Sequence, residues 1–217
     1  MSFFGMQNFS PYDLHKYRHV FEFLLEKEII KNENDVLVPE KIPRALLLEK
    51  LSKIYLWKVC YSIPISIYME MVLILFPAWV LRWKILCSML YGTEGTILAT
   101  IAATKLKWAV HIGGGYHHAN SQYGGGLCIY PDITLAVHYA QTRLGVRKAM
   151  IVDLDVHQGN GHEMDQLNNP DVFIVDVYNH SIFPGDTEAK KAIGLDMVVG
   201  EDTTDEEYLK NMNKIEN

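Results

Sequence analysis

The stretch MIVDLDVHQGNGHE, Met150–Glu163, decides how this chain is read. It begins as a buried strand, with Met150, Ile151, Val152 and Leu154 apolar, and then places Asp153, Asp155 and His157 at a spacing of two. On an extended chain that spacing puts all three side chains on one face. Two carboxylates and an imidazole on an otherwise apolar strand are costly to bury unpaired, so the stretch calls for a cation or for polar partners from elsewhere.

Outward from it, the periodicity alternates. KAMIVDLDV (148–156) and DVFIVDVYN (171–179) read as strands separated by a short helix, HEMDQL (162–167). Upstream, GTEGTILATIAATKLK (92–107) reads as a helix with Ile97, Leu98 and Ile101 inward, WAVHI (108–112) as a strand and GGGYHHANSQYGGG (113–126) as a glycine-rich loop. DITLAVHYAQTRLG (132–145) reads as a helix capped by Asp132 and ended by Gly145. Nearer the N-terminus, residues 10–30 carry Ser10 as N-cap, Pro11 at the first helical position, Asp13 completing a capping-box pattern, and an apolar stripe of Val20, Phe21, Phe23, Leu24 and Leu25. A second helix covers Ala45 to Leu56. Strands alternating with helices predict an α/β fold, a parallel sheet with helices on both faces, over a single domain, 1–217. Ligands of such sheets sit outside the carboxyl ends of the strands, where both GGGYHH and DLDVHQGNG fall.

Composition narrows the class. A net charge of −6 carries no basic stripe of the kind nucleic-acid binding needs. Cys60, Cys87 and Cys128 share no close spacing and read as reduced thiols of an intracellular protein. The start MSFFGMQNFSPYD lacks the basic and apolar regions of a signal peptide. Residues 54–91 are apolar, but the longest uncharged run after Glu70, MVLILFPAWVL, is about half the ~20 residues a bilayer requires, and Pro77 interrupts it. A buried region, not a membrane span, is expected there.

Asp155 and His157 offer oxygen and nitrogen donors suited to zinc, which at a catalytic site usually takes three protein ligands and leaves a position for water. Alone, such a triplet reads as a strand-end Asp and His hydrogen-bonded to local backbone. Asp153, deeper in the strand, can accept a proton from an imidazole and fix its tautomer. The adjacent His117 and His118 follow Gly113, Gly114 and Gly115, which allow a tight backbone path. A histidine beside a metal-bound water can act as its general base if a second group orients the ring.

GGGYHH, YGGGLCIYPD, DLDVHQGNGHE and VDVYNHSIFPGD together resemble the zinc-dependent histone deacetylases, most closely the class IV, histone deacetylase 11 type. The resemblance is tight from Gly92 to about Asp205 and looser to the N-terminus. It implies an arginase/deacetylase-like fold. It implies Asp155 and His157 as zinc ligands, His118 as general base and His117 as the neighbour that binds and polarises the water. Asp153 is matched to the residue that pairs with His117 and helps hold a structural potassium ion, with Asp176 near that ion. Asn160 is matched to the group that orients His118, and Gly126, Leu127 and Phe183 to the acyl-lysine channel. Members usually carry an aromatic ring at the position of Leu127.

A third zinc ligand, an aspartate, and a carbonyl-polarising tyrosine lie further downstream in the family, and no residue here matches either. The sheet is therefore expected to be incomplete, and the chain to be a shortened product. The implied reaction is zinc-assisted hydrolysis of acetyl or longer acyl groups from lysine side chains of histones or other proteins, in the nucleus or the cytoplasm. A catalytically inactive interaction module is the alternative. An arginase-like manganese hydrolase suits GGGYHH poorly.

Overall fold

Local sequence signals explain most of the elements in the computed structural model, which describes residues 15–32, 35–61 and 86–215, the side chains of Cys60 and Tyr61 excepted. The expected cap at Ser10, Pro11 and Asp13, and the bulk of the apolar region, residues 62–85, lie outside these residues. Helix α1 spans Lys16–Glu26. Its stripe is only half-covered: Val20 and Phe23 are exposed and no residue of the helix is fully buried.

The helix expected over Ala45–Leu56 is two helices, α2 (Arg44–Leu47) and α3 (Lys53–Tyr61). Ser52 makes the break. Its Oγ accepts the Tyr55 N–H at 3.1 Å, restarting the helix, while its own N–H donates to the Ser121 carbonyl at 3.0 Å. A serine read as helix interior is here a cap, because capping satisfies an amide that a continuous helix would satisfy otherwise. Helix α4 runs Cys87–Leu106, five residues earlier than expected, with Ile97 buried and Leu98 and Ile101 half-buried. Helix α5 runs Asp132–Arg143, and Gly145, at φ +70°, turns the chain away just past its end. These helices enclose one apolar core around Leu47, Leu51, Tyr55, Ile97, Ile129 and Leu135.

Two of the sequence expectations need correction here. WAVHI is not a strand. Trp108 and Val110 are largely exposed, and the segment pairs with no strand among the described residues. Asp132 does not cap α5, whose N-cap is Pro131. Its fully buried carboxylate turns back onto the glycine loop, with Oδ2 accepting the Gly115 N–H at 2.7 Å and Oδ1 the Tyr116 N–H at 2.8 Å. Thr96 Oγ1 donates to Oδ2 at 2.5 Å. Gly114 lacks a side chain for this reason: a Cβ there would lie 2.2 Å from Thr96 Oγ1 and 2.6 Å from Asp132 Oδ2.

The sheet is parallel, in the order β1 (Ala149–Asp153), β2 (Val172–Asn179), β3 (Leu195–Val199). Helix α6 (Asn160–Gln166) and a 3-10 turn (Ala189–Ala192) make the crossovers, and α7 (Asp205–Met212) closes the described chain. Ile133 and Val137 of α5 pack on Ile151, Val172 and Ile174, whereas Tyr208 and Met212 of α7 pack on Val175, Val177 and Met197. Because strand residues alternate in direction, these clusters lie on opposite faces, so helices cover both sides as expected. β3 and α7 are additional to the elements expected from the sequence, and Thr204 and Glu207 form a reciprocal capping box at the start of α7.

Under α6, Asp176 of β2 and Glu163 are both completely buried. Asp176 Oδ2 accepts the Gly159 N–H at 2.8 Å, while Asp176 Oδ1 and Glu163 Oε1 have no hydrogen-bond partner. Burial, and then the Glu163 carboxyl beside it, hold the Asp176 carboxyl well above its ordinary range.

Two consequences are measurable. Asp132→Asn puts an amide N–H₂ against donors that now meet a carboxylate, and is expected to lower unfolding stability by about 2 kcal/mol or more in urea titration. For Asp176 the folded pKa is raised, so its contribution is complete below the unfolded carboxylate pKa and is lost as pH rises through the folded one. Wild-type melting temperature should therefore fall between about pH 4 and pH 8 in cation-poor buffer, and Asp176→Asn should flatten that fall.

Candidate functional site

The site forms where β1 ends. The strand stops at Asp153, so Asp155 and His157 do not share a pleated face with it. Each carboxylate caps the next turn of backbone instead: Asp153 Oδ1 accepts the Asp155 N–H at 3.1 Å, and Asp155 Oδ1 accepts the His157 N–H at 2.8 Å. The polar side chains are thus held by turn chemistry beyond the strand end.

From the glycine loop come His117 and His118, both buried, their ring centroids 3.9 Å apart. Helix α6 holds the loop from behind. Its Gly161 and His162 N–H groups donate to the His117 carbonyl at 2.8 and 3.3 Å. His117 Nδ1 lies 2.9 Å from Asp153 Oδ2, and its Nε2 lies 3.7 Å from Asp155 Oδ1. His118 Nδ1 lies 2.9 Å from Asn160 Oδ1. The amide oxygen can only accept, so in this arrangement His118 carries its proton on Nδ1 and presents the Nε2 lone pair.

The two imidazoles are electrostatically unlike. Burial opposes charge on His117, but the Asp153 hydrogen bond and the fields of Asp153, Asp155 and Asp176 outweigh it and raise its pKa. Burial and the neighbouring His117 push His118 down to about 4. Burial likewise disfavours the Asp153 anion, yet the hydrogen bonds from His117 and His162 prevail and hold it well below the carboxylate range. Neighbouring titratable groups pushed apart in this way suit distinct proton-transfer roles.

Asp155 and His157 are about half-exposed, with His157 Nδ1 3.0 Å from Asp155 Oδ1. The arrangement joins two donors that suit zinc in type. Among the described residues no group of three histidine, cysteine or acidic side chains comes together as a metal site. Cys128 is no substitute, since burial above all pushes its thiol up to about 12.

Phe183 stands edge-on to His118 and His157, at centroid distances of 5.0 and 6.3 Å. Gly126 abuts the His118 ring: a Cβ there would lie 2.2 Å from His118 Cδ2. Leu127, at φ +65°, packs against the helical core. Asp176 sits beneath the Asp153 strand end as its registered neighbour on β2. A cavity of about 210 Å³ opens beside β1, lined by His117, Ile133, Ile151, Asp153 and Asp155.

Sequence reasoning missed two residues that build this geometry. Gln158 exchanges two hydrogen bonds with the backbone of Asp186, both 2.9 Å, and so fastens the Phe183 loop beside His157. His162, almost wholly buried, places Nε2 2.9 Å from Asp153 Oδ2. Neither had a periodic or motif signal apart from its place in HQGNGHE.

The model of the histone deacetylase domain matches residues 10–217. The chain is 36% identical over 215 residues to histone deacetylase 2 of Arabidopsis thaliana, a match covering 99% of this chain and 55% of that one. It spans just over half the length of that relative. Its fold is similar to a crystal structure of a histone deacetylase homologue from Aquifex aeolicus, with a TM-score of 0.67 at 19% identity over 90% of this chain and 56% of the other. A second homologue structure, complexed with SAHA, superposes with a TM-score of 0.60 at 18% identity over 83% of this chain and 51% of the other. With a strand-end carboxylate seating one histidine and a glycine loop presenting the next, and with the domain match running from residue 10 to residue 217, this chain belongs to the histone deacetylase family.

Proposed function

We propose that the chain carries the water-activating half of a zinc-dependent lysine deacylase of class IV type, acting on acetylated or longer-acylated lysines of histones or other proteins. The observation that carries this reading is the paired but unlike imidazoles. His117 is tied to Asp153, and His118 is tied to the neutral amide of Asn160. Asp155 and His157 would hold zinc, with Asp153 and Asp176 contributing to a potassium site; Asp176 Oδ1, buried and unpartnered, is an acceptor suited to such a cation. When bound, zinc supplies polarisation of the acyl carbonyl and a lowered pKa for the attacking water.

The chain's own residues do the rest. His117, held by Asp153, orients the water through its outward Nε2. His118 is neutral at physiological pH and takes the water's proton at Nε2, the proton on Nδ1 remaining with Asn160. Phe183 forms one side of the approach, Gly126 leaves the other open beside His118, and Leu127 makes the channel wall here less aromatic than is usual. An aliphatic side chain there supports longer acyl chains as substrates.

A second reading, a catalytically inactive relative that serves as an interaction module, is favoured by the two-donor metal site. One assay separates the two. Hydrolysis of acetyl- and myristoyl-lysine peptides is measured for the 217-residue chain and for a chimera in which it replaces the matched region of the Arabidopsis relative. The chain alone should be nearly inactive. The chimera should turn over, and His118→Ala should lower its rate by roughly 10²-fold or more. Full activity of the short chain would overturn the two-donor account; an inactive chimera beside an active Arabidopsis parent would favour the inactive reading.

Asn160→Asp places a carboxylate against His118 Nδ1 and is expected to raise the His118 pKa. The base must be neutral, so activity is present above its pKa and lost as pH falls through it. The acid limb of the chimera's kcat/KM profile should therefore move to higher pH.

A further inference from the structure

We propose that His162 is a positioning residue for the His117–Asp153 pair, its Nε2–H sharing the carboxylate oxygen that seats His117. This rests on the proposed function only for its catalytic meaning; the hydrogen-bond geometry stands by itself. His162 Nε2 and His117 Nδ1 both lie 2.9 Å from the same atom, Asp153 Oδ2, while Oδ1 accepts the Asp155 N–H. The side chain of His162 is 1% exposed, and its Nδ1 is buried with no hydrogen-bond partner.

Those facts select the tautomer. A proton on Nδ1 would leave a buried donor unmade, whereas a lone pair there is the smaller loss. His162 therefore carries a proton on Nε2 and donates it to Asp153. Gly159 makes room for the pairing, since a Cβ there would lie 2.2 Å from His162 Nε2 and 2.4 Å from Asp153 Oδ2. His162 grips His117 a second time, its backbone N–H donating to the His117 carbonyl at 3.3 Å.

The consequence is a divided carboxylate. An oxygen that serves two N–H donors pulls less strongly on each than one that serves a single donor. Its lone pairs are also fixed in direction, so the His117 ring is held with Nε2 toward Asp155. Without His162 the Oδ2 of Asp153 belongs to His117 alone, and the carboxylate is held by two donors, His117 and the Asp155 N–H, where it is now held by three.

The test reads the imidazole N–H resonance of His117 in the ¹⁵N-labelled 217-residue chain, assigned by its loss in Asp153→Asn. His162→Leu removes the donor at similar bulk; His162→Gln keeps an N–H donor at comparable reach. In His162→Leu the His117 resonance should move downfield, as Asp153 binds a single donor more tightly, and in His162→Gln it should return toward the wild-type position. Where the leucine variant does not fold, His162→Asn, whose amide is too short to reach Asp153, takes its place. An unmoved resonance in a folded leucine or asparagine variant overturns the proposal, as does an equal displacement in the glutamine variant. In the active chimera, kcat should fall roughly tenfold in His162→Leu with KM unchanged and recover in His162→Gln. A chimera without turnover would count against the deacylase reading alone, since the resonance reports the hydrogen bond in either case.

Discussion

One carboxylate holds the centre of this molecule together. Asp153 ends β1 and receives His117 from the glycine loop, His162 from α6 and the backbone N–H of Asp155 from the turn that follows. Three separate pieces of chain therefore meet on two oxygens. A buried anion is tolerable only when its lone pairs are met, and here the donors outweigh the penalty of burial. If Asp153 were lost, two buried imidazoles would lose their partner together, which makes this a joint of the fold as well as a part of the site.

From that joint the asymmetry of the histidine pair follows. His117 faces an anion and His118 faces an amide, so positive charge is favoured on the first and disfavoured on the second. Asn160 and Asp153 are thus a matched pair of unlike acceptors, and the unlikeness suits one ring for orienting a water and the other for taking its proton. Asp132 does comparable work one layer out. It gathers the Gly115 and Tyr116 amides, fixing the backbone from which both histidines project.

The sheet is less completely covered than the site. Met150, Val152 and Phe173 project from the face opposite α5 and remain exposed, and β1 has no further strand beside it among the described residues. An open parallel edge next to an apolar face is the kind of surface that other sheet segments cover. The match to just over half of the Arabidopsis relative is in keeping with that geometry.

The sequence by itself determined the class of fold and the place of the chemistry. Apolar runs at 148–156 and 171–179 with a short helix between them specified parallel strands, because a crossover is what such spacing permits. GGGYHH and DLDVHQGNG fell at strand ends, and the structure brings His117, His118, Asp153 and Asn160 together there. The period of two misled in one respect: β1 ends at Asp153, and the directions of Asp155 and His157 come from turns that their own carboxylates cap. Only the tertiary structure decided the rest. Ser52 breaks a helix because the Ser121 carbonyl waits for its N–H; the Asp132 carboxylate turns from its helix to the glycine loop because two loop amides need an acceptor; His162 faces Asp153 because Gly159 has no side chain to block it. Each of these depends on a partner distant in sequence or on space left empty, and neither quantity is written in local periodicity.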